Sequence, residues 1–473
     1  MSIQIFLQGK LLGIDEFLLA PAEQDHDQVF TGRSHWISLL GEVLPRALLA
    51  ELGLSKILLG SSGGGQFLLV LPEESRAAAE AFLEAAAQEI AALSDGSLKL
   101  LWSLTENLGD WTDVRRRLGE QMDHRRGTPG FEATPAGPGQ TSQDYFARQL
   151  GMRLRDAESA GWSPETPGRI QIGEGKHVWS LAGSTESLPF ARHAAPSDDG
   201  REPASTGALG ARATGLNTWG VLRGDVDNFG IRIRRAQTIE EHIQLSVMYK
   251  QFFAGELEVL CSMPEFWRKV TVIFSGGDDF AVYGAWDALI GLARELERLF
   301  HRFSEANLKD FAGPEGKTIS MALALAPAAD ASLGSVFEEA GRRLEVAKSA
   351  DKDCIWLLGR TLEWKQLANA SELKDLIIRM MGEAESSRQF LSELRGIYGK
   401  MPGAGTAGAD PQLKKVWRFH RRLNRILGSA KDREFQKQKA HLIGEIIGRS
   451  TTQVKLRPAG LVALQWARLV SEV

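Results

Sequence analysis

Two segments of the chain repeat one pattern of strand, glycine-rich turn and strand, and this repeat constrains the fold more than any other feature. Ser62-Gly63-Gly64-Gly65-Gln66-Phe67 aligns with Ser275-Gly276-Gly277-Asp278-Asp279-Phe280, and each lies between apolar segments. Gly9 precedes Gly63 by 54 residues, and Gly224 precedes Gly276 by 52, with a long helical pattern in each interval. Matching β-α-β units at matching spacings predict an α+β fold in which two ferredoxin-like domains pack against each other.

The rest of the chain divides around these two units. At 473 residues it is too long for one ordinary core. Its segments predict a first α+β domain over 1–128, a small helical and hairpin domain with a linker over 129–216, a second α+β domain over 217–360 and a basic helical domain over 361–473. Within the small domain, the pattern predicts an amphipathic helix over 142–160, a hairpin over 169–180 and a polar linker over 184–216.

Composition indicates a globular protein of the cytoplasm. The chain is 43% hydrophobic and 25% charged, with a formal net charge of -4. Cys261 and Cys354 are its only cysteines, and they lie too far apart to suggest a zinc knuckle or a disulfide framework. The N-terminus shows no targeting signal, and no apolar run is long enough to span a bilayer.

The second unit carries acidic residues where the first does not. Asp225 and Asp227 follow an apolar strand, and residues i and i+2 of a strand share a face. Asp278 and Asp279 lie in the glycine-rich turn after the next strand. Carboxylates gathered in this way suit hard divalent cations, and a pair of such ions can activate a hydroxyl and steady a pyrophosphate leaving group. The first unit has Lys10, Gly65 and Gln66 at the matching positions, so chemistry is expected in the second unit alone.

A structural role for these acids is the alternative, since Asp often caps helices and populates turns. We expect Asp225, Asp278 and Asp279 to be the catalytic residues and the metal ligands, with a contribution from the Val226 carbonyl. Asp227 is the weaker choice because it could instead cap the helix that follows. Gly276 and Gly277 permit a tight turn and a close approach of backbone amides to phosphate.

Two lysines near the end of a predicted helix are candidates for binding triphosphate. Lys348 and Lys352 are four residues apart, so both can face one anion while the helix continues. The alternative is a pair of solvated lysines that interact with the helix dipole.

Taken together, Gly224-Asp225-Val226-Asp227-Asn228 and Ser275-Gly276-Gly277-Asp278-Asp279 resemble a known family. The chain is similar to the large palm-domain subunit of type III (Csm/Cmr-type) CRISPR effector complexes, a relative of the GGDEF cyclases. Gly13-Ile14-Asp15-Glu16-Phe17 resembles a strand end of that family, and Ala347-Lys348-Ser349-Ala350-Asp351-Lys352-Asp353 resembles its phosphate-binding stretch.

This resemblance implies two palm (GGDEF-like) domains, of which the second is the catalytic one. It also implies a role in antiviral defence. It implies synthesis of cyclic oligoadenylate from ATP, with two Mg²⁺ or Mn²⁺ ions, when guide RNA in a multisubunit complex pairs with target RNA. It also makes Ser275, Lys348 and Lys352 expected contacts of ATP.

The sequence departs from the family pattern in three respects. We expect the N-terminal HD nuclease domain to be missing, and we interpret His26-Asp27 as a solvated loop. The cysteine ligands of the zinc module often found between the palms are absent from 129–215. Asp351 and Asp353 replace a glycine and an asparagine, which adds negative charge beside the expected phosphate site.

The C-terminal segment is basic. Thirteen Lys and Arg residues lie between Lys414 and Arg457, against three acidic residues. A stripe of cations with helical spacing predicts contact with RNA or with a neighbouring subunit, and a solvated helix face is the alternative. The stripe consists of Lys414, Lys415, Arg418, Arg421, Arg422 and Arg425.

Three function classes remain open at this point. The first is an RNA-activated ATP cyclase, which the resemblance favours. The second is a non-catalytic scaffold subunit of a CRISPR ribonucleoprotein. The third is a stand-alone GGDEF-type cyclase, against which Asp-Asp-Phe in place of Asp-Glu-Phe and the basic tail both argue.

Overall fold

A computed structural model describes residues 3–22, 26–127, 140–182, 187–328, 330–350, 352–383, 433–447 and 458–471. The predicted basic stripe over 414–425 lies outside these residues, as does Asp351. No helix in the described ranges is long and apolar enough to cross a membrane.

A four-stranded antiparallel sheet occupies the N-terminal part. Its strand order is β2-β3-β1-β4, and α2 connects β1 to β2 while α3 connects β3 to β4. Apolar residues such as Leu7, Leu69 and Leu83 bury the sheet against these helices. The elements are β1 (Gln4–Leu12), α1 (Ile14–Leu18), α2 (His26–Glu51), β2 (Leu59–Gly63), β3 (Gln66–Pro72), α3 (Arg76–Leu93), β4 (Lys99–Glu106) and α4 (Trp111–Arg126). His26 is exposed and begins α2, so it does not lie in the predicted loop.

A six-stranded sheet follows, with strand order β13-β12-β11-β8-β10-β9. Its central strands are antiparallel, and β12 joins β11 in parallel. Its strands are β8 (Trp219–Val226), β9 (Val270–Ser275), β10 (Asp279–Ala285), β11 (Ile319–Leu325), β12 (Cys354–Leu357) and β13 (Arg360–Glu363). Its helices are α7 (Phe229–Arg234), α8 (Ile239–Gln251), α9 (Leu257–Cys261), α10 (Trp286–Asn307) and α11 (Leu333–Ala350), with a π-helical turn over Phe252–Glu256 between α8 and α9.

Strand register relates the two sheets residue by residue. Lys10 pairs with Gln66 across β1 and β3, and Asp225 pairs with Asp279 across β8 and β10. One residue earlier, a Cβ on Gly9 would meet the Phe67 ring at 2.1 Å, and a Cβ on Gly224 would meet the Phe280 ring at 2.2 Å. The repeat in the sequence is therefore also a repeat in three dimensions.

The segment between the sheets differs from its predicted structure. The helix expected over 142–160 is a short helix, α5 (Gln140–Asp144), followed by a π-helical turn over Tyr145–Met152 and then by β5 (Ser159–Trp162). Tertiary contact explains the break, because a Cβ on Gly151 would lie 2.4 Å from the Gln28 carbonyl oxygen on α2. The backbones of the two segments thus touch where a regular helix would continue.

The hairpin expected over 169–180 is also wrong. The strands β6 (Gln171–Ile172) and β7 (His177–Ser180) each pair with β5, so β5 lies between them. Gly161 on β5 allows this arrangement, since a Cβ there would lie 1.7 Å from the Glu174 carbonyl oxygen in the connecting loop. The linker that follows contains a capped helix, α6 (Thr206–Ala211), in which the Ser205 hydroxyl accepts a hydrogen bond from the Ala208 amide.

The two sheets share buried contacts. Trp219, Val221 and Phe337 from the second sheet and its helices belong to the same apolar cluster as Leu7 and Trp36 from the first. The Ser34 hydroxyl on α2 donates a buried hydrogen bond of 2.9 Å to the Ile273 carbonyl oxygen on β9.

Helices follow the second sheet. The first of them, α12 (Trp364–Glu383), packs against α13 (Arg433–Ile447) and α14 (Pro458–Ser471). The described ranges of the C-terminal segment after β13 are thus helical.

Candidate active site

The strand register places two of the predicted acids directly opposite each other. Asp225 lies near the end of β8 and Asp279 at the start of β10, and the two are register partners. Asp278 precedes Asp279 in the turn, and its carbonyl oxygen accepts a 2.9 Å hydrogen bond from the Val226 amide. Asp225, Asp278 and Asp279 therefore gather at one end of the two strands.

The glycine-rich turn fits closely around Asp279. The Gly276 amide donates a 2.7 Å hydrogen bond to the Asp279 carbonyl oxygen. A Cβ on Gly276 would lie 2.1 Å from an Asp279 carboxylate oxygen, so any side chain at position 276 would have to displace that carboxylate. The Ser275 hydroxyl is buried and finds no hydrogen-bond partner among the described residues. The turn thus presents an unused hydroxyl beside the acids.

The electrostatics of the acid cluster favour a bound cation. Burial raises the pKa of Asp278 to about 8, and the charges of Asp279 and Asp225 add to this rise. Burial and the Asp225 charge likewise raise the pKa of Asp279 to about 6. Carboxylates that share a site and lack a partner resist ionisation, and a bound cation would relieve their repulsion.

Asp225 has a partner that the sequence did not predict for it. The Lys348 ammonium on α11 donates a 2.7 Å hydrogen bond to an Asp225 carboxylate oxygen. Burial raises the pKa of the Asp225 carboxyl, and this hydrogen bond opposes the rise. Lys348 was expected to contact a triphosphate. In the structure it contacts a member of the acid cluster instead.

Lys352 also lies near the end of β8, although it follows the end of α11. The helix α11 ends at Ala350, so Lys348 and Lys352 do not share one helical face as expected. Lys352 has a φ of +57°, and its ammonium donates a hydrogen bond to the Asn228 side-chain oxygen. Both lysines therefore lie beside the end of β8, one at Asp225 and the other three residues further along.

Asp227 has a different environment from the other acids. Its buried carboxylate accepts hydrogen bonds of 2.8 Å from the Thr318 and Ser320 hydroxyls and of 2.9 Å from the Asp353 amide. These donors use its oxygens to hold β11 and the turn after α11. The arrangement fits a structural carboxylate better than a metal ligand, but Asp227 does not cap the following helix as the sequence suggested.

A cavity of about 470 Å³ lies beside the acid cluster, between the two sheets. The two glycine-rich turns form part of its wall and lie next to each other, since a Cβ on Gly63 would be in van der Waals contact with the Gly277 nitrogen at 3.8 Å. Other wall residues come from both halves of the repeat and include Trp111, Arg115, Arg223 and Phe337. The volume suits a small polar ligand with part of its surface buried.

The glycine-rich turn of the first sheet is in contact with a lysine side chain. Lys250 on α8 donates a 2.7 Å hydrogen bond to the Ser62 hydroxyl and lies 2.6 Å from a Glu42 carboxylate oxygen on α2. Burial alone would raise the Glu42 pKa, but the Lys250 and Arg46 charges bring it below its usual value. Ser62 thus has the partners that its counterpart Ser275 lacks.

The residues suit divalent metal ions, although their side chains are not arranged around one. Asp225, Asp278 and Asp279 supply the hard carboxylate oxygens that Mg²⁺ and Mn²⁺ prefer. In the described part of the chain, no three potential ligand side chains converge in metal-binding geometry. The Lys348 contact with Asp225 accounts for part of this, because it engages one expected ligand.

Sequence reasoning missed the residues that join the two halves. The Arg115 guanidinium on α4 donates hydrogen bonds to the carbonyl oxygens of Ile233, Arg234 and Ala236, at the end of α7. Arg223, Glu42 and Lys250 were missed as well. A charged residue within the apolar strand Trp219–Val226 was the available signal for Arg223.

Comparison with known families gives this geometry a context. Residues 218–356 match the family model of the second palm domain of Cas10/Cmr2, and residues 3–106 match that of domain B of the Csm1 subunit. The chain belongs to the Cas10/Csm1 family. The resemblance inferred from its motifs is confirmed.

Relatives in this family are named as single-strand-specific deoxyribonucleases, Cas10/Csm1, of subtype III-A CRISPR systems. The protein of Enterococcus italicus is 28% identical over 185 residues, covering 38% of this chain and 22% of the relative. That of Mycobacterium tuberculosis is 34% identical over 121 residues, covering 22% of this chain and 15% of the relative. The alignments thus cover less than a quarter of either Cas10/Csm1 relative.

Solved structures of Csm1 share the fold over nearly the whole chain. The Csm1-Csm4 cassette in complex with cA4 matches with a TM-score of 0.72 at 18% identity, over 99% of this chain and 70% of that one. A Csm1-Csm4 subcomplex of the type III-A Csm interference complex matches with a TM-score of 0.68 at 17% identity, over 98% of this chain and 70% of that one. At such identities the likeness establishes the mixed α/β fold of this Cas10/Csm1-type chain.

Proposed function

We propose that this chain is the nucleotide-polymerising subunit of a type III effector complex, which makes cyclic oligoadenylate from ATP when the complex binds target RNA. The observation that carries the proposal is the opposition of Asp225 and Asp279, with Asp278 beside them, at a cavity of about 470 Å³. The Csm1 structures solved with cA4 and with one ATP support the same substrate class.

In the proposed reaction, a ribose hydroxyl of one ATP attacks the α-phosphorus of another, and pyrophosphate leaves. Asp225, Asp278, Asp279 and the Val226 carbonyl would hold two Mg²⁺ or Mn²⁺ ions, which supply charge neutralisation and an activated hydroxyl. The turn amides of Gly276 and Gly277 and the Ser275 hydroxyl would orient phosphate oxygens. Lys348 and Lys352 would move from Asp225 and Asn228 to the triphosphate.

We also propose that each sheet with its helices is a ferredoxin-like palm, with 1–128 and 217–360 as the two palms, 129–216 between them and 361–473 as a helical domain. The strand order β4-β1-β3-β2 of the first sheet, with a helix after β1 and after β3, supports this division. The acids lie only on the second palm, so the first contributes walls of the cavity but no metal ligands.

The proposed partners are guide RNA, target RNA and other subunits of the complex, including one of the Csm4 type. The Csm1-Csm4 matches support a protein partner. The basic stripe from Lys414 to Arg425 supports contact with RNA or with a neighbouring subunit. As a subunit of such a complex, the protein is placed in the cytoplasm.

A non-catalytic scaffold is the second candidate, and the Lys348 contact with Asp225 is the observation that favours it. A lysine that stays on Asp225 after nucleotide binding would exclude one metal ligand. The scaffold therefore predicts no product under any conditions, whereas a stand-alone cyclase predicts product without RNA.

One experiment separates these candidates. The assembled complex is incubated with labelled ATP and Mg²⁺ or Mn²⁺, with and without target RNA, and products are resolved chromatographically. We expect RNA-dependent cyclic oligoadenylate from the wild type and none from Asp278→Ala with Asp279→Ala. The matched control is Lys10→Ala with Gln66→Ala, which changes the paired positions of the first sheet and should keep activity. Full product from the Asp278 and Asp279 variant would overturn the assignment.

A further inference from the structure

Arg223 is a cation of the cavity wall that no predicted role explains. It lies on β8 two residues before Asp225, so both side chains project from the same side of the strand. Its register partner on β10 is Ala281, two residues after Asp279. Arg223 therefore faces the cavity from a position just inside the acid cluster.

The helix α11 is shaped to receive this guanidinium. The Arg223 guanidinium carbon lies 4.2 Å from the centre of the Phe337 ring. One helical turn later, a Cβ on Gly341 would lie 2.5 Å from an Arg223 terminal nitrogen. Phe337 covers the guanidinium, and the absent side chain at Gly341 leaves it room, so its position is defined by packing.

The packing does not satisfy its hydrogen-bond donors. Among the described residues, the Arg223 side chain contacts the Phe337 ring but makes no hydrogen bond and no ion pair. The carboxylates of Asp279, Asp15 and Asp225 act on it only at longer range. A guanidinium has five N–H donors, and those of Arg223, which is only half-buried, stay available at the cavity.

Arg223 differs from the other charged groups of the cavity wall in being able to bind an anion. Asp15, Asp278 and Asp279 are acidic and offer no positive charge to an anion. The guanidinium of Arg115 is already used by the carbonyl oxygens at the end of α7. Among the arginines of the described cavity wall, Arg223 is thus the one with donors available to a ligand.

We propose that Arg223 binds a phosphate group of the nucleotide that enters this cavity. A planar guanidinium can give two parallel hydrogen bonds to phosphate oxygens, and it supplies the positive charge that the acidic wall lacks. Stacking on Phe337 holds the group in advance, so little side-chain entropy is lost on binding. The identity of the ligand as a nucleotide rests on the proposed function.

Equilibrium binding to the full-length chain tests the proposal without requiring turnover. A non-hydrolysable ATP analogue and adenosine are titrated separately, with EDTA and with Mg²⁺. For Arg223→Gln we expect the Kd of the ATP analogue to rise about 10- to 100-fold, while the Kd of adenosine changes less than twofold. Arg223→Lys keeps the charge but loses the planar fork, and it should give an intermediate Kd.

Gly341→Ala is a second variant that leaves Arg223 in place. Alanine favours the helix relative to glycine by about 1 kcal/mol, so the fold should not be weakened by propensity. Its methyl group must displace the guanidinium, so we expect weaker binding of the ATP analogue and unchanged binding of adenosine. A melting temperature at or above that of the wild type would separate this loss from unfolding.

The outcomes distinguish this inference from the proposed function. Equal losses for adenosine and the ATP analogue would mean that Arg223 contacts base or ribose, and an unchanged Kd would mean that it is only structural. Either result overturns the inference, as would a wild-type chain that does not bind the ATP analogue. A wild-type complex that binds the analogue but makes no product would instead overturn the proposed function.

Discussion

The Lys250 ammonium lies 2.6 Å from a Glu42 carboxylate oxygen, and this ion pair joins helices that belong to different sheets. Both side chains are largely buried, at 11% and 4% exposure, and both also contact Ser62 in the turn of the first sheet. The pair therefore holds α8 of the second half against α2 and the glycine-rich turn of the first.

Removing one member of this pair should be strongly destabilising. In Lys250→Met, the Glu42 carboxylate stays buried with Arg46 as its remaining charged partner, and we expect a loss of about 3 kcal/mol or more in the free energy of unfolding. Glu42→Leu with Lys250→Met should recover much of that loss, because both charges of the pair are gone and Arg46 keeps its hydrogen bond to the backbone carbonyl oxygen of position 42. Urea unfolding of the single and double variants measures the coupling. Arg298→Ala, in an exposed pair with Glu295, is the control and should cost less than about 1 kcal/mol.

The acid cluster should make stability depend on pH. Burial and neighbouring charges raise the pKa of Asp278 to about 8 in the folded chain, from a usual value of 3.8. Between these values the folded state holds a proton that the unfolded state has lost, so this group's contribution to stability falls as pH rises from about 4 to 8. We expect Asp278→Asn to raise the melting temperature by at least about 2 °C at pH 8.5, and by less at pH 5.

Calorimetry without divalent metal at both pH values measures this difference. Asp310→Asn, at an exposed position, is the control and should leave both melting temperatures unchanged. Adding Mg²⁺ at pH 8.5 should stabilise the wild type more than Asp278→Asn, because the carboxylate is a proposed ligand. An equal Mg²⁺ effect on both proteins would remove Asp278 from the proposed metal site.

Replacing Asp227 should destabilise the fold, whereas replacing Asp278 should stabilise it. Its carboxylate accepts hydrogen bonds from Thr318, Ser320 and the Asp353 amide, so Asp227→Ala leaves buried donors unmatched. We expect Asp227→Ala to lower the free energy of unfolding by about 3 kcal/mol. Asp225→Ala, two residues away, should cost little or nothing, since burial disfavours its charge. Denaturant unfolding of the two variants is the measurement, and similar losses would contradict the distinction between them.

Restoring acids to the first sheet should not create a second active site. In Gly65→Asp with Gln66→Asp, Lys10 still pairs with position 66, as Asp225 pairs with Asp279, and places a cation where a metal would bind. Gly65 also has a φ of +71°, which is costly for aspartate. We expect no metal-dependent product when Asp278 and Asp279 are both alanine. Gln66→Asp alone avoids the strained position and is the control for folding.

Charge reversal of the basic stripe should reduce activation by RNA. Replacing Arg418, Arg421, Arg422 and Arg425 with glutamate removes phosphate contacts that are electrostatic and weaken with salt. We expect the ratio of product with target RNA to product without it to fall at least tenfold, with little change in basal product. A differential binding energy of about 3 kcal/mol is enough to change the active population over a hundredfold. An unchanged ratio at equal occupancy of the complex would mean that the stripe is a solvated face.

The repeat could be read from the sequence because it is a local pattern. Side chains alternate along a strand, and a short turn fixes the register of the strands that it joins. These local rules do not fix the pairing of Lys10 with Gln66 or of Asp225 with Asp279, because the glycine-rich turns join β2 to β3 and β9 to β10. The matching spacings of the two units indicated instead that the two pairs occupy equivalent positions, as the register shows. Asp227 was ranked below the other acids on similar local grounds.

Contacts between distant parts of the chain left no such pattern. The segment 142–160 has helical periodicity, but close packing of Gly151 on the α2 backbone breaks the helix. Lys250 meets Glu42 across 208 positions of sequence, and Lys348 meets Asp225 across 123. Such pairings depend on how the two halves dock, which no spacing within either half encodes.

The approach of Gly63 to Gly277 has a consequence for how the site can be controlled. Glycines face each other there, and a Cβ on Gly63 would already lie 3.8 Å from the Gly277 nitrogen. Because Gly63 and Gly277 have no side chains, no change of rotamer at these two residues can widen or narrow the gap. A change in its width therefore involves the backbone, through movement of one half of the molecule against the other or through a change in either turn. A partner bound far from the acids could therefore open or close the gap by tilting either half.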